Sequence, residues 1–264
     1  MSLKQCERPV AIVTGAFRGI GHACTLGLAK VGFNLLLNDR DGDENRELAP
    51  HITSELADLG ADSLPIFADV AKLEIHSTML DAAISRWGRI DCLVNNAGVP
   101  AHQRGDLLDV EPESFDECIS VNTRAVFFLS QAVARQMLEQ SRQTDTHRSI
   151  INITSSNAKA VSITRSEYCV SKAASSMTTK LFALRLASAG IGVYEVRPGI
   201  IETDLTRPAK SIYDKIIDDH HVPAERWGYP ADVASTVVCM AEGRLVYTVG
   251  QAIAVDGGLV IPRY

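Results

Sequence analysis

The feature that most constrains the fold of this chain is alternation: short apolar runs and helical patterns succeed one another along its length. Residues 9–14, PVAIVT, form a continuous apolar run bounded by turn chemistry, which reads as a strand buried on both faces. Runs at 33–38, 63–68, 91–95, 149–154, 192–197 and 251–256 read the same way. Helical patterns lie between them, from the glycines at 15–21 to about 31, then at about 43–59, 73–87, 113–140, 166–189 and 231–242. Such alternation predicts one α/β domain, residues 1–264, built on a single doubly wound parallel sheet with helices on both faces. The polar stretch 140–147 reads as a solvated connector. Residues 205–223 are polar and irregular in pattern and are expected to form a lid.

With 264 residues, 46% of them hydrophobic and 22% charged, the chain can bury a sizeable core. A formal net charge of -6 gives no electrostatic reason to expect nucleic acid or an anionic membrane as partner. The cysteines, Cys6, Cys24, Cys92, Cys118, Cys169 and Cys239, form no C-x-x-C pair and no zinc-like cluster with histidine. They read as reduced core thiols in a cytoplasmic protein, with no metal site. The first residues lack a signal-peptide pattern, and no apolar run approaches the ~20 residues that span a bilayer.

The first run leads into Thr14-Gly15-Ala16-Phe17-Arg18-Gly19-Ile20-Gly21 and then a helical pattern. Gly15 permits a tight turn, Gly19 lets backbone approach a diphosphate, and Gly21 lets helix and strand pack closely. The helix N-terminus offers unpaired N–H groups to the same diphosphate. Between a strand and a helix at the first crossover, this is the context a dinucleotide requires, and the expected architecture is Rossmann-type. Asp39 follows about 20 residues on, where a carboxylate binds the adenine ribose 2′-hydroxyl and repels a 2′-phosphate. Arg18 and Arg40 argue the other way, since a guanidinium pairs with a 2′-phosphate. NAD is the expected cofactor and NADP the alternative.

Tyr168 and Lys172 stand at i,i+4 in a helical pattern and so share a face. A phenol titrates near ~10, and an adjacent ammonium favours the phenolate, bringing it towards a working acid/base. At the end of the 149–154 strand stand two hydroxyls, Ser155 and Ser156, and either could face the crevice where α/β sheets bind ligands.

These motifs resemble the short-chain dehydrogenase/reductase family. The resemblance rests on T-G-A-F-R-G-I-G (14–21), A-D-V (68–70), N-N-A-G (95–98), V-N-T (121–123), Ser155 with Tyr168-x-x-x-Lys172, R-P-G-I-I-E-T (197–203) and V-D-G-G (255–258). It implies Tyr168 as general acid/base, Ser155 rather than Ser156 as stabiliser of the substrate oxygen, and Lys172 as the group that lowers the Tyr168 pKa and binds the nicotinamide ribose. It further implies that Asn122 holds a water in a proton relay and that Asp69 and Val70 contact adenine. Asn95, Ala97 and Gly98 would line the cofactor, with Pro198, Gly199, Ile201 and Thr203 at its nicotinamide end. Ala158 departs from the glycine common after the catalytic serine.

The resemblance implies hydride transfer between a nicotinamide cofactor and a secondary alcohol or ketone, and the usual homotetramer. Within the family the chain is most similar to bacterial 3-ketoacyl-acyl-carrier-protein reductases, which implies reduction of a 3-oxoacyl thioester. A sugar or polyol dehydrogenase is the alternative, and a non-catalytic nucleotide-binding regulator a third reading. An acidic carrier protein would require a basic patch, for which Arg124, Arg135, Arg142 and Arg165 are candidates. Candidate substrate contacts are His102, Arg104, Asn157 and Arg165, with Tyr213, His220 and His221 on the lid. The apolar stretch from Ile253 to Ile261 is expected at a subunit interface.

Overall fold

The structure, a computed structural model, describes residues 8–140 and 146–263. Cys6, Arg142 and most of the connector expected at 140–147 lie outside the described residues. Seven strands form one parallel sheet: β1 (Val10–Thr14), β2 (Asn34–Asp39), β3 (Ser63–Phe67), β4 (Cys92–Asn95), β5 (Arg148–Ile153), β6 (Ile191–Pro198) and β7 (Ala252–Val255). Their order is β3-β2-β1-β4-β5-β6-β7. The helices are α1 (Gly19–Lys30), α2 (Asp43–Asp58), α3 (Glu74–Trp87), α4 (Pro112–Ile119), α5 (Val126–Glu139), α6 (Ser166–Leu186), α7 (Lys210–Asp218) and α8 (Pro230–Ala241).

The apolar strands are continuous because each side of the sheet has its own core. Alternate residues of one strand serve opposite faces. On one face Val13, Leu35, Leu37 and Val94 pack with Cys24, Leu28, Val233 and Val237 of α1 and α8. On the other, Ile12, Leu36, Leu93 and Ile150 pack with Met79, Leu129 and Val133 of α3 and α5. Pro65, which has no N–H to donate, sits on β3 at the sheet edge, where a missing donor is tolerated. The order reverses between β1 and β4, which opens a crevice beyond the carboxyl ends of the strands.

Two elements differ from the sequence-based expectation. The helix expected at 113–140 is two α-helices joined by a π-helical turn, Ser120–Ala125. The Asn122 carbonyl accepts the Ser175 hydroxyl of α6, and its side chain turns to the Val99 main chain. Such wider turns often occur at functional sites. The segment 205–223, expected to be irregular, contains α7. That helix buries only Tyr213 and Ile217 among its nine residues, packing them with Ile200, Ala209 and Val222. Its apolar stripe is too short to stand out as a period.

Candidate active site

The glycine turn is shaped by what surrounds it. Gly15 and Gly19 have positive φ, 63° and 53°. A Cβ on Gly21 would lie 1.8 Å from the Gly15 carbonyl oxygen, so no other residue fits between β1 and the start of α1. Arg18 caps α1 without a side-chain hydrogen bond, and no acidic residue lies in the first turn. Its leading N–H groups are thus open to an anion. Two residues that the sequence reading left without a role hold the turn. Thr14 Oγ1 accepts the main-chain N–H groups of Asn96 and Ala97 at 3.1 and 3.0 Å. The Asn96 amide donates to the carbonyls of Thr14 and Gly15 at 3.0 and 2.9 Å. Both lie inside the quoted motifs, at the reversal of strand order, and that position was their signal.

Asp39 ends β2 with its carboxylate anchored: Oδ2 accepts the Phe17 N–H at 3.2 Å and Oδ1 the Arg40 N–H at 2.9 Å. Arg18 pairs with Glu44 at 2.7 Å, and Arg40 lies 3.9 Å from Glu117. Asp69 borders a cavity of about 480 Å³ with Arg40, Phe67 and Ile75, and Val70 is buried beside it. A second cavity, about 580 Å³, lies between Gly19, Thr203, Thr206, Lys210 and Tyr229. Pro198 ends β6, and the N–H of Gly199, which follows it, donates to the Val255 carbonyl. Ile201 is in the core, and Ile20 packs at its margin. The Asn95 side chain faces inward, donating to Ser130 at 3.0 Å and Asn152 at 2.8 Å, so only its main chain faces the groove.

Tyr168 and Lys172 share a face of α6, with Lys172 Nζ 5.7 Å from the centre of the phenol ring. Ser155, just past the end of β5, stands by the phenol and favours its ionised form, and its Oγ accepts the Asn157 N–H at 3.1 Å. Burial raises the Tyr168 pKa above the ordinary phenol value, opposed by Ser155 and by the Arg165 guanidinium 5.4 Å from the ring. The Lys172 ammonium is turned to the Ile153 carbonyl at 3.2 Å, and the groups favouring the phenolate are Ser155 and Arg165. Burial pushes Lys172 itself down to about 8.

Asn122 is fully buried, and both of its amide hydrogens are used, on Val99 O and Ser171 Oγ at 3.0 Å each. A Cβ on Gly98 would lie 3.1 Å from Asn122 Oδ1 and 3.3 Å from Lys172 Nζ. Glycine there keeps open the space between those two polar groups. Behind them, buried Glu195 accepts from Thr154 at 2.6 Å, Ser176 at 2.8 Å and Arg197 at 2.7 Å. This satisfied network ties β5, β6 and α6 together beneath Tyr168.

The three loops that carry the candidate substrate contacts converge. Arg104 donates to the Tyr213 hydroxyl at 2.6 Å and Arg165 to the same oxygen at 3.1 Å. Arg165 also donates to Asn157 Oδ1 at 2.6 Å. His102 pairs elsewhere, with Glu117 at 2.5 Å, and exposed His220 lies 3.1 Å from Glu225. Of the candidate basic patch, Arg165 is inside this cluster, while Arg124 lies over Phe128.

A family model described as enoyl-(acyl carrier protein) reductase matches residues 15–260. The 3-oxoacyl-[acyl-carrier-protein] reductase of Staphylococcus epidermidis is 34% identical over 250 residues, which cover 94% of this chain and 98% of the relative. The 2-dehydro-3-deoxy-D-gluconate 5-dehydrogenase of Dickeya dadantii is 32% identical over 252 residues, 94% of each chain. A solved 3-oxoacyl-[acyl-carrier protein] reductase from Brucella melitensis, in complex with NAD, has a TM-score of 0.92 at 42% identity and covers 98% of this chain and 99% of its own.

Proposed function

The chain belongs to the short-chain dehydrogenase/reductase family and is an oxidoreductase acting on CH–OH groups with NAD or NADP, and from that footing we propose that Tyr168 is its acid/base. The observation that carries the proposal is the meeting of Tyr168, Ser155 and Lys172 beside the glycine turn, at the carboxyl ends of the central strands.

The residues around the turn fit a dinucleotide, because Gly21 leaves no room for a side chain and the first turn of α1 is uncapped. Gly15, Gly19, Ile20 and Gly21 would hold the diphosphate, Asp39 the adenine ribose, and Asp69 and Val70 the adenine. Ala97, Gly98 and the Asn95 main chain would line the groove towards Lys172, which would hold the second ribose. Pro198, Gly199, Ile201 and Thr203 would border the nicotinamide. Bound there, the cofactor supplies or accepts the hydride.

Ser155 Oγ holds the substrate oxygen. In reduction the Tyr168 hydroxyl donates its proton to that oxygen, and in oxidation the phenolate takes it. Lys172 re-supplies the proton, and Asn122 holds a water of that relay in the space that Gly98 keeps open. A raised Tyr168 pKa keeps the phenol protonated at neutral pH, which favours its role as donor.

Asp39 favours NAD. Arg18 and Arg40 already face Glu44 and Glu117, although such exposed pairs contribute only ~0–1 kcal/mol and yield readily to a ligand. The segment 205–223 acts as the lid of a one-domain enzyme, with α7 as its ordered part. Exposed Met177, Leu181 and Leu184 on α6 and Ile261 near the C-terminus support burial between subunits of a homotetramer. Free thiols at the described cysteines support a cytoplasmic setting.

The relatives suggest two substrate classes: a 3-oxoacyl thioester, following the Staphylococcus and Brucella relatives, and a sugar acid, following the Dickeya relative. A panel of secondary alcohols and ketones, followed by nicotinamide absorbance with NAD(H) and NADP(H) in parallel, tests the proposal. Turnover with at least one member, faster with NAD(H), is expected. Absence of turnover across the panel, despite binding of the cofactor, would count against it.

A further inference from the structure

Arg104 and Arg165 both donate to one neutral oxygen, the Tyr213 hydroxyl, and neither forms an ion pair among the described residues. Two guanidinium groups held this close repel each other, and a phenol does nothing to neutralise them. The Arg165 Nε–H is buried without a partner among the described residues, which is costly unless something accepts it. Tyr213 can accept through two lone pairs and donate through one hydrogen. With both lone pairs taken by the arginines, its O–H is left to donate. The site thus presents two cations and a hydroxyl donor, with Asn157 the nearest polar neighbour on the Arg165 side.

The arrangement is built into the chain. The Gly105 N–H donates to the Thr164 carbonyl, so main-chain pairing holds the residues next to Arg104 and Arg165 abreast. Tyr213 arrives from α7, anchored by Ile217 and by an edge-on contact with Trp227, ring centres 5.7 Å apart. Arg165 lies 5.4 Å from the Tyr168 ring, which puts the cluster within a few bonds of the reacting carbon.

We propose that Arg104, Arg165 and Tyr213 form a carboxylate-binding subsite, and that the substrate is a free hydroxy or oxo acid carrying its carboxylate within a few bonds of the carbon that is oxidised or reduced. The inference rests on the oxidoreductase reading and narrows it. A thioester is neutral at that place and would leave half-buried Arg165 without an anion, while Arg104 is open to solvent; the anion of a carrier-linked substrate lies far from its oxo group. A carboxylate accepts from both arginines and from Tyr213.

The test compares free 3-hydroxy acids and aldonic acids with their methyl esters and with 3-oxoacyl thioesters of N-acetylcysteamine, using the whole enzyme and NAD(H). The acid is expected to exceed its ester in kcat/KM by about 10- to 100-fold, the range that loss of charge-assisted hydrogen bonds gives. In R104Q that acid-to-ester ratio falls at least tenfold, mainly through KM. A residue that only latched the lid would lower both substrates together and leave the ratio unmoved. Fluorescence of Trp227, read against a W227F control, gives acid binding without turnover. Equal use of acid and ester, preference for the thioester, or no acid-dependent signal by either readout would overturn the proposal. Failure of the underlying oxidoreductase reading shows differently, as acid binding without any change in nicotinamide absorbance.

Discussion

At the scale of single residues, the site combines one group held protonated by burial with one held close to neutrality. Tyr168 is pushed above the ordinary phenol range, so reduction, which uses the protonated phenol, should persist into alkaline pH. Oxidation, which needs the phenolate, should rise with pH over the same interval, and initial rates in both directions across a pH series check this. Lys172 has a folded-state pKa of about 8, below its unfolded value near ~10.4. Between those values the unfolded chain binds more protons, so the stability contribution of Lys172 rises with pH there and is at its least favourable below about 8. K172M should therefore melt at or above the wild-type temperature near neutral pH, with the advantage fading as pH rises, while turnover falls. A lower melting temperature at neutral pH would mean that the bond to the Ile153 carbonyl outweighs the cost of the buried charge. Asp39 offers a third test. D39A should shift the NAD-to-NADP ratio of kcat/KM towards NADP by at least about tenfold, as loss of a charge-assisted contact and of like-charge repulsion implies.

At the scale of elements, what was legible in the sequence is what is local. The glycine turn, the strand ends and the i,i+4 pair Tyr168–Lys172 each lie within a few residues, and the structure has them where the pattern placed them. The π-helical turn was not legible, because it depends on Ser175 and Val99, far from Asn122 in sequence. Nor was α7, whose apolar stripe gains meaning only against Ile200 and Val222. Arg104, Arg165 and Tyr213 could each be named from their loops, but their meeting is a property of three loops folded together. The contact between β1 and α1 gives a sharp test at this scale. G21A places a methyl group 1.8 Å from the Gly15 carbonyl, an overlap that must push α1 away from the strand. Overpacking of this kind typically costs about 1–3 kcal/mol. Thermal melting should register that loss, and NADH affinity should fall with it, because the same displacement opens the turn.

At the scale of the whole molecule, the sheet acts as a rack. Its reversal between β1 and β4 sets the groove proposed for the cofactor, and the ends of β5 and β6 bring Ser155 and the Glu195–Arg197 network up to α6. Apolar side chains left exposed on α6, Leu184 at 79% and Leu181 at 54%, make that helix the expected subunit contact. L181E/L184E should lower the assembled mass seen by light scattering, and an unchanged mass would move the interface elsewhere. No described helix is long and apolar enough to cross a membrane. All of this converges on one proton at one oxygen, and the central claim stands or falls there. The measurement is turnover of Y168F beside its affinity for NADH, in the same buffer. The account predicts a fall in kcat of about 10²–10⁴-fold, the usual contribution of general acid/base catalysis, with NADH affinity within about threefold of wild type. Turnover equal to wild type would contradict it.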